Sequence, residues 1–481
     1  MISASLSAVQ NVTADPPTYD RNDEEKIGAL LNPATSTSWE DHFIALDSSI
    51  QQLVTNFTSD INNITDPVTA ETQLRNLVDQ YAPQLLDIAR NSVSANSFFN
   101  PDDRPLYWAR LKIEVILQDH PFLLHAPGLT TQLIEKFELH SRGFDSVDFS
   151  SSNPAFTAAY SQNSALKKVL LSGYDPFFLH PAKTGNNIFQ SNPSGCVALA
   201  LHNKVIYNNS NFPIGIIQSA VFPVRYFDFD KGIVEDFFDQ FITDPAKKAH
   251  VIMTMSQGLP FLFEFDRYTT RNRGGGNYLP DNKFDFRPED SPSISTADSE
   301  EWLETKLPLE IVPSLNDSND PNPIDFGTSL PDYKFYILHK QAFQDISSSY
   351  DYQSFKPYED AIRPNENKTN NQRKLNISNP SLLNTDLNRN TIPSSVPQTS
   401  PKLKMIEGSG GNYLSNEIFY RVALLRTRWI KSQIPNIVTL PTGHFHLPLM
   451  QFRQGEDFYP DLTQAVIDIV QERIKRAVLT L

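Results

Sequence analysis

The chain has 481 residues, of which 39% are hydrophobic and 11% aromatic, so it can bury a large core arranged in two or three domains. Its formal net charge of −15 argues against nucleic acid as the main partner, because phosphate binding requires a basic face. The single cysteine, Cys196, excludes an intrachain disulfide and a cysteine-based zinc site.

Residues 1–36 are rich in Pro, Ser, Thr, Asn and Asp, and this composition predicts an irregular lead-in. They lack the basic start and continuous apolar run of a signal peptide. No apolar run in the chain approaches the roughly 20 residues that span a bilayer, so we expect no membrane partner. The sequence leaves both a cytoplasmic and a secreted location open, since a leader can be removed from a mature chain.

Residues 37–145 carry the pattern of four helices joined by short connections, which predicts a helical N-terminal domain. In the first helix, apolar residues recur at spacings of three and four from Phe43 to Phe57. Pro83 is expected to kink or divide the second helix. No catalytic constellation is visible in this region, and contact with a protein partner is one role that we consider for it.

A polar linker, residues 146–165, precedes a region in which strand and helix patterns alternate through residue 481. This alternation predicts an α/β domain with a largely parallel sheet, in which ligands bind beyond the carboxyl ends of the strands. Strands are expected at 168–172, 204–207, 214–224 and 251–255, and a helix at 228–241. Residues 313–404 are dense in Asn, Ser, Pro, Asp and Thr, which predicts a large irregular insertion.

A Gly-rich turn runs directly into a helical pattern at Ser409-Gly410-Gly411-Asn412-Tyr413-Leu414-Ser415-Asn416. Ser415 stands at the junction, where a helix leaves backbone N–H groups unpaired and where its dipole is positive. A nucleophile there would have its developing negative charge stabilised. The alternative is that Ser415 only caps the helix, because serine is among the best N-cap residues.

Several short motifs follow one another between residues 166 and 481, and their order matches the order found in one known family. They are Gly173-Tyr174-Asp175-Pro176-Phe177, Asn192-Pro193-Ser194, Phe222-Pro223-Val224, Pro280-Asp281-Asn282, Thr305-Lys306-Leu307-Pro308-Leu309, Ser409 to Asn416 with Phe419-Tyr420, and Gly443-His444-Phe445-His446-Leu447-Pro448. Together they resemble pyroglutamyl peptidase I, the pyrrolidone carboxyl peptidases among the cysteine peptidases. The resemblance implies a three-layer α/β/α sandwich with a mixed central sheet. It also implies removal of an N-terminal pyroglutamyl group from a small peptide or amide, and we expect neither a cofactor nor a metal.

In that family a cysteine attacks, a histidine acts as base and a glutamate orients the histidine. The resemblance places Ser415 at the cysteine position and His446 at the histidine position, with His444 as the alternative on the same strand face. A serine hydroxyl cannot ionise as a thiol can and needs a general base during attack. The acid is unsettled between Asp266 and Glu264, and its absence is a third alternative.

The resemblance also implies a substrate pocket. Tyr174 and Phe177 match aromatic positions that flank the pyrrolidone ring, and Gln257 matches a position whose loop hydrogen-bonds the lactam. Aromatic walls suit a flat lactam, although both aromatic residues could simply pack at a strand end.

The sequence therefore leaves two candidate functions. The first is a pyroglutamyl-peptidase-like hydrolase in which Ser415 attacks and His446 is the base. The second is a catalytically inactive pseudoenzyme that keeps the fold as a binding or scaffolding module, in which the helical domain and the insertion contact a partner. The sequence leaves the oligomeric state open, with a homo-oligomer as one alternative.

Overall fold

The computed structural model describes most of the chain, namely residues 25–94, 101–180, 187–260, 262–271, 273, 302–308, 334–338, 342–345, 352–354, 403–411, 413–432, 440–449 and 460–481. Most of the predicted insertion 313–404, the first 24 residues of the lead-in and the Pro280-Asp281-Asn282 motif lie outside the described residues.

The N-terminal region is helical, with α1 (Trp39–Ile44), α2 (Ser48–Asn62), α3 (Ala70–Ser94), α4 (Arg104–Gln118) and α5 (Pro127–Ser141). The first predicted helix is two helices, because the Asp47 side chain accepts hydrogen bonds from the backbone of Ser49 and Ile50 and starts α2 afresh. Pro83 lies inside α3 and does not divide it. A proline removes one backbone hydrogen bond, and the apolar face that α3 buries outweighs that loss.

Twelve strands lie within the described residues, and they are β1 (Lys167–Tyr174), β2 (Val205–Tyr207), β3 (Pro213–Phe222), β4 (Val251–Pro260), β5 (Leu262–Asp266), β6 (Tyr268–Thr270), β7 (Trp302–Glu304), β8 (Lys334–Leu338), β9 (Ala342–Asp345), β10 (Tyr352–Ser354), β11 (Leu403–Glu407) and β12 (Thr442–Leu449). Seven of them form one sheet in the order β2-β3-β1-β4-β12-β5-β8. Its centre, β3-β1-β4-β12, is parallel, whereas β12 and β5 run antiparallel, so the sheet is mixed.

The remaining described helices are α6 (Thr157–Gln162), α7 (Pro193–Leu201), α8 (Tyr226–Asp230), α9 (Ile233–Thr243), α10 (Leu414–Ser432) and α11 (Pro460–Leu479). The helix predicted over 228–241 is therefore two helices. Gly232 separates them with a φ of 89°, a backbone conformation that glycine adopts without steric cost.

Side chains that alternate along β1 serve two different cores. Val169 and Leu171 pack on one face of the sheet with α7 and α11, whereas Leu170 and Tyr174 pack on the other face with α9 and α10. Helices thus cover both faces of a mixed sheet, which confirms the predicted three-layer α/β/α architecture.

The N-terminal helices share the first of these cores. Trp108 of α4 and Phe137 of α5 belong to the same hydrophobic cluster as Val169 and Leu171. The predicted boundaries at residues 145 and 165 stay a prediction, and the packing adds that helices on either side of them bury their apolar faces together. Within the described residues, no helix is both long enough and apolar enough to cross a membrane.

Candidate active site

The Gly-rich turn is folded back tightly on itself. Gly408 N–H donates to the Gly411 carbonyl at 2.8 Å, and Gly411 N–H donates to the Gly408 carbonyl at 3.0 Å. At its tip, a Cβ on Gly410 would overlap both Asp266 Oδ2 and His446 Cε1. The backbone of the turn therefore packs directly against this aspartate and histidine, an approach that only glycine permits.

The turn leads into α10, whose first hydrogen bond runs from Glu417 N–H to the Tyr413 carbonyl at 3.0 Å. Tyr413 is thus the capping position, and Ser415 is the second residue of the helix, partly buried. The interpretation of Ser415 as an N-cap is wrong in this respect. The N–H groups of residues 414–416 have no acceptor within the helix, which gives this end a positive potential.

The two histidines of β12 point to one face of the sheet, as their spacing predicts. Their ring centroids are 4.7 Å apart, and the rings meet edge to face. His446 is 6% exposed and His444 is fully buried. Antiparallel pairing with β5 sets His444 opposite Asp266 and His446 opposite Glu264. Both histidines and both candidate acids therefore meet at one place in the fold.

The two candidate acids differ in what they contact. Asp266 Oδ1 lies 3.4 Å from His446 Nδ1, and the side chain is 1% exposed. Neither Asp266 oxygen accepts a hydrogen bond from the described part of the chain. Glu264 is 3% exposed, and its Oε2 would lie 3.4 Å from a Cβ on Gly258. Asp266 thus places a carboxylate oxygen near a ring nitrogen of His446, while Glu264 faces His446 across the strand pair.

His444 is held in a different way, because hydroxyl groups contact both of its ring nitrogens. Thr254 Oγ1 lies 2.8 Å from Nδ1, and Ser256 Oγ lies 2.8 Å from Nε2. Burial, reinforced by the neighbouring His446, holds the pKa of His444 well below its usual value. His444 is therefore neutral, and its two nitrogens are already engaged.

The three residues predicted for the pocket occupy different surroundings. Tyr174 is 3% exposed, its ring stacks on Phe229, and its hydroxyl donates to the Leu414 carbonyl at 2.8 Å. Phe177 is only partly buried and packs against the core that α9 and α10 form on their face of the sheet. Gln257 Oε1 is buried and accepts no hydrogen bond from the described residues. Phe177 thus keeps part of its ring accessible, and Gln257 keeps an acceptor available to a ligand. Tyr174 is instead held by its hydrogen bond to the first residue of α10.

Asn416 was not anticipated as a site residue, although it directly follows Ser415. Its Oδ1 accepts hydrogen bonds from the Thr269 hydroxyl at 2.9 Å and from Thr270 N–H at 2.9 Å, and its Nδ2 donates to the Thr270 carbonyl at 2.8 Å. These bonds tie the start of α10 to β6, which lies two residues beyond Asp266. The sequence signal for this role is the place of Asn416 at the end of the motif Ser409 to Asn416.

Glu417 anchors the same helix turn from below. It is fully buried and receives hydrogen bonds from Arg273 and Arg421. The opposite charges compensate the burial of the carboxylate. Together with Asn416, this pairing fixes the backbone on which Ser415 sits.

The site contains no thiol. Cys196 lies on α7, is fully buried, and burial raises the pKa of its thiol well above the usual value. A metal is a separate option, because potential ligand atoms of Asp266, His444 and His446 lie within 4.8 Å of one another. To bind one, His444 would have to exchange a hydroxyl partner for the metal, so this set is not a ready-made metal centre.

The chain is similar to the family described as the C-terminal domain of PA0049, whose model matches residues 168–297 and 366–451. It is 24% identical over 413 residues to the uncharacterized protein PA0049 of Pseudomonas aeruginosa, a match that covers 80% of this chain and 71% of that protein.

Solved structures of pyroglutamyl peptidases are weakly similar. The pyrrolidone carboxyl peptidase of Pyrococcus furiosus superposes with a TM-score of 0.32 at 13% identity, over 65% of this chain and 97% of that one. The pyroglutamyl peptidase I of Bacillus amyloliquefaciens gives 0.30 at 15% identity, over 66% and 94%. At these scores no residue role is transferred from them.

Proposed function

We propose that the protein is an amide hydrolase that removes an N-terminal pyroglutamyl or similar acyl group. Ser415 is the nucleophile, His446 the general base, and Asp266 the acid that orients His446. The observation that carries the proposal is the contact of Gly410 with both Asp266 and His446. It brings the turn that leads to Ser415 against a buried acid and base contributed by β5 and β12.

The proposed reaction begins when Ser415 Oγ attacks the acyl carbon of the substrate amide while His446 accepts the hydroxyl proton. His446 Nδ1 faces Asp266, so Nε2 is the nitrogen assigned to this transfer. The tetrahedral intermediate is stabilised by N–H groups at the start of α10. The C–N bond then breaks, and the leaving amine takes the proton from His446.

Water, deprotonated by His446, next attacks the acyl-serine and releases the free acid, which restores the Ser415 hydroxyl. The negative charge of Asp266 stabilises the imidazolium that forms in both half-reactions. The proposal assigns Gln257 Oε1 to the lactam N–H of a pyroglutamyl group, since a buried acceptor without a donor is costly unless a ligand supplies one. Phe177 would contact the ring.

The test is hydrolysis of a chromogenic pyroglutamyl anilide, with a prolyl anilide as the control that lacks the lactam carbonyl. We expect turnover of the first substrate only, and a loss of at least about 10³-fold in Ser415→Ala and in His446→Gln. A fluorophosphonate probe should label the parent protein and leave Ser415→Ala unlabelled. Absence of both turnover and labelling in the folded parent would overturn the proposal.

A specific observation favours the second candidate, a pseudoenzyme. Tyr174, predicted as a pocket wall, is buried in the core and bonded to the Leu414 carbonyl, so one side of the expected pocket is not formed by that ring. In this case the fold serves as a binding module and the N-terminal helices contact a partner. Turnover that appears only in Ser415→Cys would mark a preserved pocket whose nucleophile has been disabled and would favour this candidate.

A further inference from the structure

The buried carboxylate of Asp175 forms ion pairs with two arginines, one on α4 and one just after α5. Asp175 directly follows β1 and is 3% exposed. Arg110 of α4 donates to both of its oxygens, at 2.9 and 3.1 Å, and Arg142, which follows α5, donates to Oδ2 at 2.6 Å. Both arginines are essentially buried, at 0% and 2% exposed. The N-terminal helices therefore contact the end of β1 through ion pairs as well as through apolar packing.

The backbone around this carboxylate is fixed as well. Asp175 N–H donates to the Phe222 carbonyl at 2.9 Å, and the Asn192 side-chain amide donates to the Asp175 carbonyl at 2.8 Å. Tyr174 N–H donates to Ser194 Oγ at 3.0 Å. These three backbone groups are thus each held by a partner in a defined direction, so a shift of Asp175 would shift its neighbours.

The neighbour that matters for the site is Tyr174, because its hydroxyl donates to the Leu414 carbonyl, one residue before Ser415. Burial raises the pKa of Tyr174 well above its usual value, so the hydroxyl keeps the proton that it donates. A continuous series of bonds therefore runs from Arg110 and Arg142 through Asp175 and Tyr174 to the first turn of α10.

We propose that Asp175 is a positioning residue through which α4 and α5 set the end of β1, and with it the helix turn that carries Ser415. This inference rests on the proposed function for its kinetic consequence. Its structural part, the transmission from Asp175 to α10, stands independently. It gives the N-terminal helices a role inside the candidate active site, beyond covering one face of the sheet.

The test compares two buried Asp→Asn changes in the full chain. Asp175→Asn keeps the size and one acceptor oxygen but removes the charge that both arginines bind. Asp102→Asn is the matched control. Asp102 pairs with Arg104 at 2.7 Å and its side chain is 3% exposed, against 4% for Asp175, and its carboxylate bonds stay within the start of α4.

Hydrogen–deuterium exchange is measured on peptides covering 172–179 and 410–420, with kinetics on the pyroglutamyl anilide at a temperature well below each Tm. In Asp175→Asn we expect exchange about tenfold faster in both peptides. We also expect kcat about tenfold lower, with KM changing less than kcat. Asp102→Asn should leave both peptides and kcat unchanged. Equal effects of the two variants, or unchanged exchange at 410–420 in Asp175→Asn, would overturn the proposal.

Tyr174→Phe serves as a second variant if Asp175→Asn does not fold, because it removes only the hydroxyl bond to Leu414. Exchange should then rise at 410–420 and stay unchanged at 172–179; no rise at 410–420 contradicts the proposal. An inactive parent would count against the proposed function alone, since the exchange measurements still decide whether Asp175 positions α10.

Discussion

Two buried carboxylates, Asp175 and Asp266, are treated by the fold in opposite ways. Asp175 receives hydrogen bonds from two arginines, whereas Asp266 has its His446 contact at 3.4 Å and accepts no hydrogen bond from the described residues. A saturated carboxylate holds structure, because removing a partner leaves a charge uncompensated. A buried carboxylate that lacks hydrogen-bond donors costs free energy in the folded chain. Such groups occur at functional sites, where a proton or a substrate supplies the missing bond.

The largest expected effect is the loss of rate on changing Asp266, the carboxylate without hydrogen-bond donors among the described residues. Asp266→Asn removes the charge that would stabilise a His446 imidazolium and can fix the wrong tautomer, so we expect kcat to fall about 10³- to 10⁴-fold in the anilide assay. Glu264→Gln is the control on the same strand face, and its effect should stay below about tenfold. A reversed order of the two losses would assign the acid to Glu264.

The saturated member is tested by stability. Arg110→Met leaves the Asp175 carboxylate with one arginine in place of two, and we expect the free energy of unfolding to fall by about 3–5 kcal/mol in urea titrations. Arg75→Met is the contrast, since Arg75 pairs with Glu71 at 2.9 Å in solvent. There we expect about 0.5 kcal/mol or less. Similar losses in both variants would remove the distinction between the two regions.

A third change breaks the approach of the turn to the site. Gly410→Ala puts a methyl group against Asp266 Oδ2 and His446 Cε1, so the turn and the pair must separate. Because a displacement of about 1 Å costs about 10²-fold in rate, we expect that loss in kcat. Gly128→Ala meets no atom within 4 Å and is the control, with unchanged kinetics. Full activity of Gly410→Ala would show that this contact is dispensable.

The smallest effect concerns His444 and pH. Its pKa is depressed in the folded chain, so below about pH 6.5 the unfolded chain binds a proton that the folded chain does not. His444 therefore lowers the free energy of unfolding by up to about 1.4 kcal/mol for each pH unit below that value. In His444→Gln we expect this part of the slope to disappear between about pH 6.5 and about pH 5, measured by urea unfolding. An unchanged slope would mean that His444 is protonated in the folded chain.

Local patterns predicted much of the fold. A short apolar run predicted β1 over 168–172. The period of two along a strand predicted the shared faces of His444 with His446 and of Glu264 with Asp266, because successive side chains point to opposite sides. The helical pattern after the Gly-rich turn placed the start of α10 to within a residue. The misplaced boundaries, at Asp47 and Gly232, are single-residue capping and φ effects that a periodic pattern does not register.

The sequence by itself thus determined the layered α/β class, the Gly-rich turn into a helix at Ser415, and the set of candidate acids and bases. Only the tertiary structure decided which of them meet. The antiparallel register of β5 against β12 sets Glu264 opposite His446, yet the diagonal neighbour Asp266 places an oxygen 3.4 Å from His446 Nδ1, and hydroxyls from β4 engage His444. The arginines on Asp175 come from 65 and 33 residues away in the chain. Such pairings depend on strand register and helix docking, which are properties of the whole fold and leave no local period in the sequence.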